Sequence, residues 1–128
     1  MAKNIITYGT FDTFHYGHLE LLIGARRLGS YLTVGLSTDE FNLQKEKSCV
    51  FNYRQRKNWL ENINVIDRII AEKSWAQKKT DIVKYNIDIL VMGSDWTGKF
   101  DDLDCDVVYL PRTKIISSSE IKKILGKI

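Results

Sequence analysis

The sequence predicts an α/β fold in which a parallel five-stranded sheet carries helices on both faces. Three observations predict it. Short apolar runs alternate with amphipathic stretches along the whole chain. The apolar runs are continuous, as in strands covered on both sides. Strand and helix signals then follow one another in turn, as crossover connections require.

Each element has its own signal. "NIITYG" (4–9) reads as a buried strand. "HLELLIGARRLG" (18–29) sets Leu21, Leu22, Ala25 and Leu28 at helical spacing, and Gly29 stops it. "YLTVGLS" (31–37) is the second strand, after which Thr38 or Asp39 can cap a short helical turn. Residues 43–52, "LQKEKSCVFN", have no periodicity and read as a loop. "YRQRKNWLENI" (53–63) is helical, with Trp59, Leu60 and Ile63 along one side, and "RIIAE" (68–72) is the third strand. A helix over 75–86 and a strand over 88–94 follow. Residues 95–106 are polar and irregular, "VVYLP" (107–111) is the fifth strand, and "SSSEIKKILGKI" (117–128) closes the chain as a helix.

At 128 residues, with a single proline and no repeat or Pro-rich linker, residues 1–128 read as one domain. The hydrophobic share of 44% rules out wholesale disorder. A formal charge of +3 suits an anionic small molecule but is too small to argue for nucleic acid. No apolar run approaches the roughly 20 residues of a membrane span, and "MAKNIITYG" lacks the apolar core of a signal peptide. Cys49 and Cys105 fit no metal-ligand spacing and are expected as free thiols in a reducing cytoplasm.

In a parallel sheet ligands bind beyond the carboxyl ends of the strands, and three stretches fall there. The first is "TYGTFDTFHYGHLELL" (7–22), which holds both histidines of the chain. His15 falls on the loop and His18 at the helix start, with Gly17 leaving the backbone open to a ligand. Amides at a helix start favour phosphate. The same positive end disfavours protonated imidazole, so neutral histidines there can donate N–H to phosphate oxygens. The second is "LQKEK", where Lys45 and Lys47 can close over a polyphosphate as mobile charges, or simply sit in a solvated loop. The third is "PRTKIISSSEIKK", where Arg112 can fork onto phosphate and Ser117 to Ser119 open a helix. Ser117 and Glu120 also fit a capping box, but three consecutive hydroxyls exceed what a cap needs. Weaker candidates are Arg54, Arg56 and Lys57, which read as a solvated helix face, together with Lys78, Lys79 and Asp95. Trp96 either stacks on a ligand or plugs a loop. Asp12 either accepts backbone bonds in its turn or helps to hold a metal.

"GTFDTFHYGH" resembles the H-x-G-H signature of the nucleotidylyltransferase superfamily, and "RTKIISSS" resembles its second signature. With "LSTDEFNLQK", "DILVMGSDWTGKFD" and "VVYLPRT", the chain is similar nearly end to end to the glycerol-3-phosphate cytidylyltransferase family. The resemblance implies a Rossmann-like domain, a homodimer and a divalent cation, usually Mg²⁺, with no metal-ligating residue assigned in this chain. It implies that CTP and glycerol 3-phosphate give CDP-glycerol and pyrophosphate, feeding teichoic acid or capsule polymers. Another phosphorylated alcohol, or ATP, is the alternative. It places Thr10, Phe11, His15, Tyr16, Gly17 and His18 in the CTP site, Lys47 at the triphosphate, and Lys45 and Lys78 at the glycerol phosphate. Arg112, Thr113, Lys114, Ile115, Ile116, Ser117, Ser118 and Ser119 would hold CTP, and His15, His18, Lys47 and Arg112 would act in the chemical step. Two positions depart from the family. Asn64 stands where it has arginine and Ile115 where it has glycine, and both changes are expected to weaken CTP binding more than acceptor choice.

Overall fold

In the computed structural model, which describes residues 2–111, five parallel strands form one sheet in the order β3-β2-β1-β4-β5. They are β1 (Asn4–Gly9), β2 (Tyr31–Ser37), β3 (Arg68–Glu72), β4 (Ile89–Gly93) and β5 (Asp106–Leu110). Each falls within a residue or so of its apolar run. The helices are α1 (Tyr16–Arg26), α2 (Asp39–Gln44), α3 (Tyr53–Leu60) and α4 (Gln77–Lys84), and a 3-10 turn spans Ser94–Trp96.

Alternation of side chains along the strands divides the core in two. One face sets Ile5, Leu32, Val34, Leu36 and Val91 against Leu19, Leu22, Ile23 and Ala25 of α1 and Leu60 of α3. The other sets Ile6, Tyr8, Leu90 and Met92 against Ile82 of α4 and Ile87. Both faces are therefore covered, as the continuous apolar runs require. Strand order reverses between β1 and β4, the kind of point at whose carboxyl ends parallel sheets bind ligands.

Three elements differ from their expected form. α1 starts at Tyr16 rather than at His18, because His15 caps it, and it buries Leu19 and Ile23 rather than Leu21 and the exposed Leu28. Residues 43 and 44, expected in a loop, close α2, whose start is fixed by Phe41 N–H donating to Thr38 Oγ1 at 3.1 Å. In α3, Leu60 is buried and Trp59 lies outside, its ring 5.5 Å from that of Phe14. The expected closing helix over 117–128, the Ser117–Glu120 capping box, and Arg112, Thr113, Lys114, Ile115, Ile116, Ser117, Ser118 and Ser119 lie outside the described residues.

Candidate active site

The turn from β1 into α1 is held in a demanding backbone conformation. Phe11 and Thr13 both sit at positive φ (51° and 44°), where non-glycine residues are uncommon. The turn delivers His15 as the N-cap of α1 and His18 one turn along. Gly17 N–H donates to His15 Nδ1 at 3.0 Å, and His15 N–H donates to His18 Nδ1 at 3.2 Å. A methyl group on Gly17 would lie 2.9 Å from His15 Cε1, so only glycine lets the imidazole fold back over the helix start. The rings stack at 3.9 Å between centroids, and Phe11 and Phe14 each lie 5.3 Å from the His18 ring.

This arrangement fixes the donor atoms. Each Nδ1 accepts a backbone N–H and so carries no proton. In the neutral ring the proton is then on Nε2, leaving that atom to donate. Burial, with His15 beside it, lowers the His18 pKa to about 4, against a weaker pull from Asp12. His18 is thus neutral near pH 7, a hydrogen-bond donor rather than a cation. An NMR titration of its Cε1–H resonance is expected to have its midpoint near 4, and a midpoint near 6.5 would contradict this environment. Because the folded value lies below the unfolded one, the unfolded chain takes up the proton first. His18 therefore contributes a loss of stability as pH falls from about 6.5 toward 4.

An open cavity of about 360 Å³ lies against this turn, lined by Tyr8, Thr10, Phe11, Asp12, His18, Leu21, Lys47 and Cys49 among others. Asp12 closes one side by accepting backbone N–H from Val50 at 2.7 Å and Phe51 at 2.9 Å. Slight desolvation would raise its pKa, but those bonds hold it below the ordinary carboxylate value. Of its two readings from the sequence, backbone binding is thus the one its oxygens satisfy. The clamp draws residues 47–51 against the β1–α1 turn, which brings the exposed Lys47 to the cavity rim.

Arg56, expected on a solvated face, is 1% exposed. It donates to the carbonyls of Thr10 (2.8 Å), Ser37 (2.7 Å) and Phe51 (3.1 Å) and pairs with Asp39 at 2.8 Å. It joins the ends of β1 and β2 to the 45–52 segment, and no other side chain offers that fork of donors. Its neighbours Arg54 and Lys57 stay at the surface or half-buried. The only signal for Arg56 was its place on an otherwise polar helix, which does not separate a buried arginine from a solvated one.

Lys45 and Lys78 meet on the far side of Tyr8. Lys45 Nζ donates to Ser37 Oγ at 2.9 Å, and Ser37 Oγ donates to Glu72 Oε1 at 2.8 Å. Lys78 Nζ pairs with Glu72 Oε2 at 2.7 Å. Register accounts for this, since Ser37 and Glu72 are partners at the carboxyl ends of β2 and β3. Lys45 is half-buried; desolvation and the nearby Lys47 and Lys78 lower its pKa, while Glu72 opposes them. Lys78 is 3% exposed. Tyr8 OH donates to Asp81 Oδ2 at 2.8 Å, and burial followed by Asp81 pushes its pKa up.

Of the residues expected at the site, Thr10, Phe11, His18 and Lys47 line the cavity, and His15, Tyr16 and Gly17 form the helix start beside it. Thr10 Oγ1 donates to Asn42 Oδ1 at 3.1 Å. Lys45 and Lys78 share the adjoining network, with Lys78 turned to Glu72 rather than to solvent. Trp96 plugs rather than projects, its ring 5.9 Å from Trp75 and 5.6 Å from Phe100. Asp95 and Lys79 are exposed. Asn64 sits on an exposed turn entering the amino end of β3. That end of a parallel sheet is opposite its carboxyl ends, and Asn64 is not among the described residues that line the cavity. Among the described residues no cluster of three or more His, Cys, Asp or Glu side chains could hold a metal ion by itself.

A strand–turn–helix junction with two imidazoles, beside lysines at the carboxyl ends of a parallel sheet, is the arrangement of a nucleotidyl-transfer site. Residues 6–124 match the family described as cytidylyltransferase-like, and the chain belongs to that family. The particular members it resembles are glycerol-3-phosphate cytidylyltransferases. It is 57% identical to that of Bacillus subtilis (strain 168) over 123 residues, covering 94% of this chain and 95% of the other. It is 53% identical to that of Staphylococcus aureus (strain NCTC 8325 / PS 47), covering 96% and 95%. A lipopolysaccharide core biosynthesis protein from Thermoplasma volcanium GSS1 shares the fold, with a TM-score of 0.71 at 23% identity over 91% of this chain and all (100%) of the other.

Proposed function

We propose that the chain transfers the cytidylyl group of CTP to glycerol 3-phosphate, giving CDP-glycerol and pyrophosphate. The observation that carries this is the pair of imidazoles, each with Nδ1 accepting a backbone N–H so that Nε2 is the atom left to face a ligand, beside a cavity that also takes Lys47. Identity of 53–57% to glycerol-3-phosphate cytidylyltransferases over nearly the whole chain supports the choice of substrates.

In this reaction an oxygen of the acceptor phosphate attacks the α-phosphorus of CTP. The bond from that phosphorus to the bridging oxygen breaks, and pyrophosphate leaves with the electron pair. The nucleophile is already an anion, so no protein base or covalent intermediate is required. The protein's work is positioning and charge stabilisation. His15 and His18 donate to the α-phosphate oxygens as charge builds. Lys47, and Arg112 from outside the described residues, hold the β- and γ-phosphates. Lys45 offsets the repulsion between the two anions.

A divalent cation fits as Mg²⁺ carried on the triphosphate, since Mg²⁺ keeps several waters and is bound largely through substrate phosphates. Among the described residues Asp12 is the one carboxylate lining the cavity, and both its oxygens already accept backbone N–H. Bound there, the ion would supply positive charge beside the leaving pyrophosphate.

Lys47→Ala is expected to weaken CTP binding, and added salt to weaken it in the parent protein, because Lys47 acts as an exposed point charge. Calorimetry showing unchanged CTP affinity in Lys47→Ala would remove it from the triphosphate.

We also infer a homodimer. Leu43 (74% exposed), Val50 (72%) and Phe51 (40%) share a groove with Lys47, apolar surface of the kind a second copy covers. Light scattering tests this against the 14.8 kDa of a single chain. No helix among the described residues is long and apolar enough to cross a membrane. A cytoplasmic setting, where CTP is made, and use of the product for teichoic acid or capsule polymers complete the reading.

A further inference from the structure

Lys78 is surrounded as a bound ligand would be. Its ammonium lies 4.5 Å from the ring centroid of Tyr8, 5.0 Å from Trp75 and 5.1 Å from Phe100, and 2.7 Å from Glu72 Oε2. An ion pair needs no aromatic rings around it. Aromatic faces converging on a cation beside a carboxylate are the composition by which proteins recognise small ammonium groups. The enclosure is next to the reaction site, for Tyr8 also lines the cavity. It opens outward at Trp75, which is 50% exposed. The same Trp75 faces Lys45, whose ammonium lies 5.6 Å from that ring and 4.4 Å from Phe41.

We propose that this enclosure is a small-ammonium site filled by the chain's own Lys78, and that its filling sets the acceptor class. Alcohol phosphates whose alcohol carries no charge are taken, and amino-alcohol phosphates are refused. The acceptor half of the proposal rests on the reaction proposed above; the enclosure itself does not. Two physical reasons act in the same direction. An incoming ammonium finds the aromatic faces and Glu72 already occupied. It also meets three lysines, Lys45, Lys47 and Lys78, against two carboxylates, Glu72 and, beyond the Tyr8 hydroxyl, Asp81, a net positive balance that attracts phosphate and repels a second cation.

Lys78→Ala in the full chain empties the site. The atoms removed beyond Cβ correspond to n-propylammonium, which serves as the probe. Propylammonium chloride is expected to raise the melting temperature of Lys78→Ala above its value in sodium chloride of equal ionic strength, and to leave the parent protein unmoved. If Lys78→Ala does not fold in sodium chloride, the same salts are compared for recovery of its circular dichroism signal. Lys78→Met refills the enclosure with an apolar chain and is expected not to respond. The absence of any propylammonium effect on Lys78→Ala, or an equal effect on Lys78→Met, overturns the ammonium site.

Pyrophosphate release with CTP then compares glycerol 3-phosphate with phosphoethanolamine. The kcat/KM ratio is expected to move toward phosphoethanolamine by about tenfold or more in Lys78→Ala. An unmoved ratio overturns the specificity role even where propylammonium stabilises the variant. A parent protein inactive with glycerol 3-phosphate refutes the proposed reaction instead, and the melting comparison still decides the enclosure.

Discussion

His18→Ala is expected to lower kcat by on the order of 10²-fold or more, the range found when one donor to a developing oxyanion is removed. The loss should fall on kcat more than on the KM for CTP, because the bond strengthens as charge builds on the α-phosphate. His18 also packs on Phe11 and Phe14 and accepts from His15 N–H, so the alanine variant loses some local order as well. His15→Asn separates the two effects. Asparagine is a good N-cap and keeps the start of α1, but it does not place a donor where His15 Nε2 stands. A normal far-UV spectrum with a large loss of kcat is expected for it. A well-folded His18→Ala enzyme with near-normal turnover would end the assignment of the imidazoles to the chemical step.

Arg56→Ala is expected to cost on the order of 3 kcal/mol of stability and roughly 10 °C in Tm. It strips donors from the carbonyls of Thr10, Ser37 and Phe51 and leaves Asp39 without its partner. Arg56→Lys should recover little, since one ammonium cannot span that fork. Activity should fall in both, because Thr10 and the 45–52 segment shape the cavity wall. A Tm within 2 °C of the parent would show that the arginine is dispensable to the frame. Such a result would return it to the solvated role that its helix suggests.

What was legible in the sequence is what repeats or punctuates. Continuous apolar runs located every strand, and the alternation with helices gave the parallel sheet and its carboxyl-end site. Both histidines could be placed because a glycine between them, at a strand-to-helix junction, has few structural reasons to exist. Pairings across the chain were not legible. Nothing near Asp12 in the sequence shows that it will accept from Val50 and Phe51, and nothing near Ser37 shows that Glu72 will meet it at the end of a neighbouring strand. These contacts follow from strand order and register, which local pattern does not contain. The buried face of α1 was misjudged by one residue because almost every position in "HLELLIGA" is apolar enough to serve.

The most direct test of the account is pyrophosphate release from purified protein, with Mg²⁺, across a matrix of acceptors and CTP, ATP, GTP and UTP. Glycerol 3-phosphate with CTP is expected to give the highest kcat/KM, and CDP-glycerol should appear in step with pyrophosphate. A different phosphorylated alcohol ahead by tenfold or more would contradict the acceptor, and ATP ahead of CTP would contradict the nucleotide.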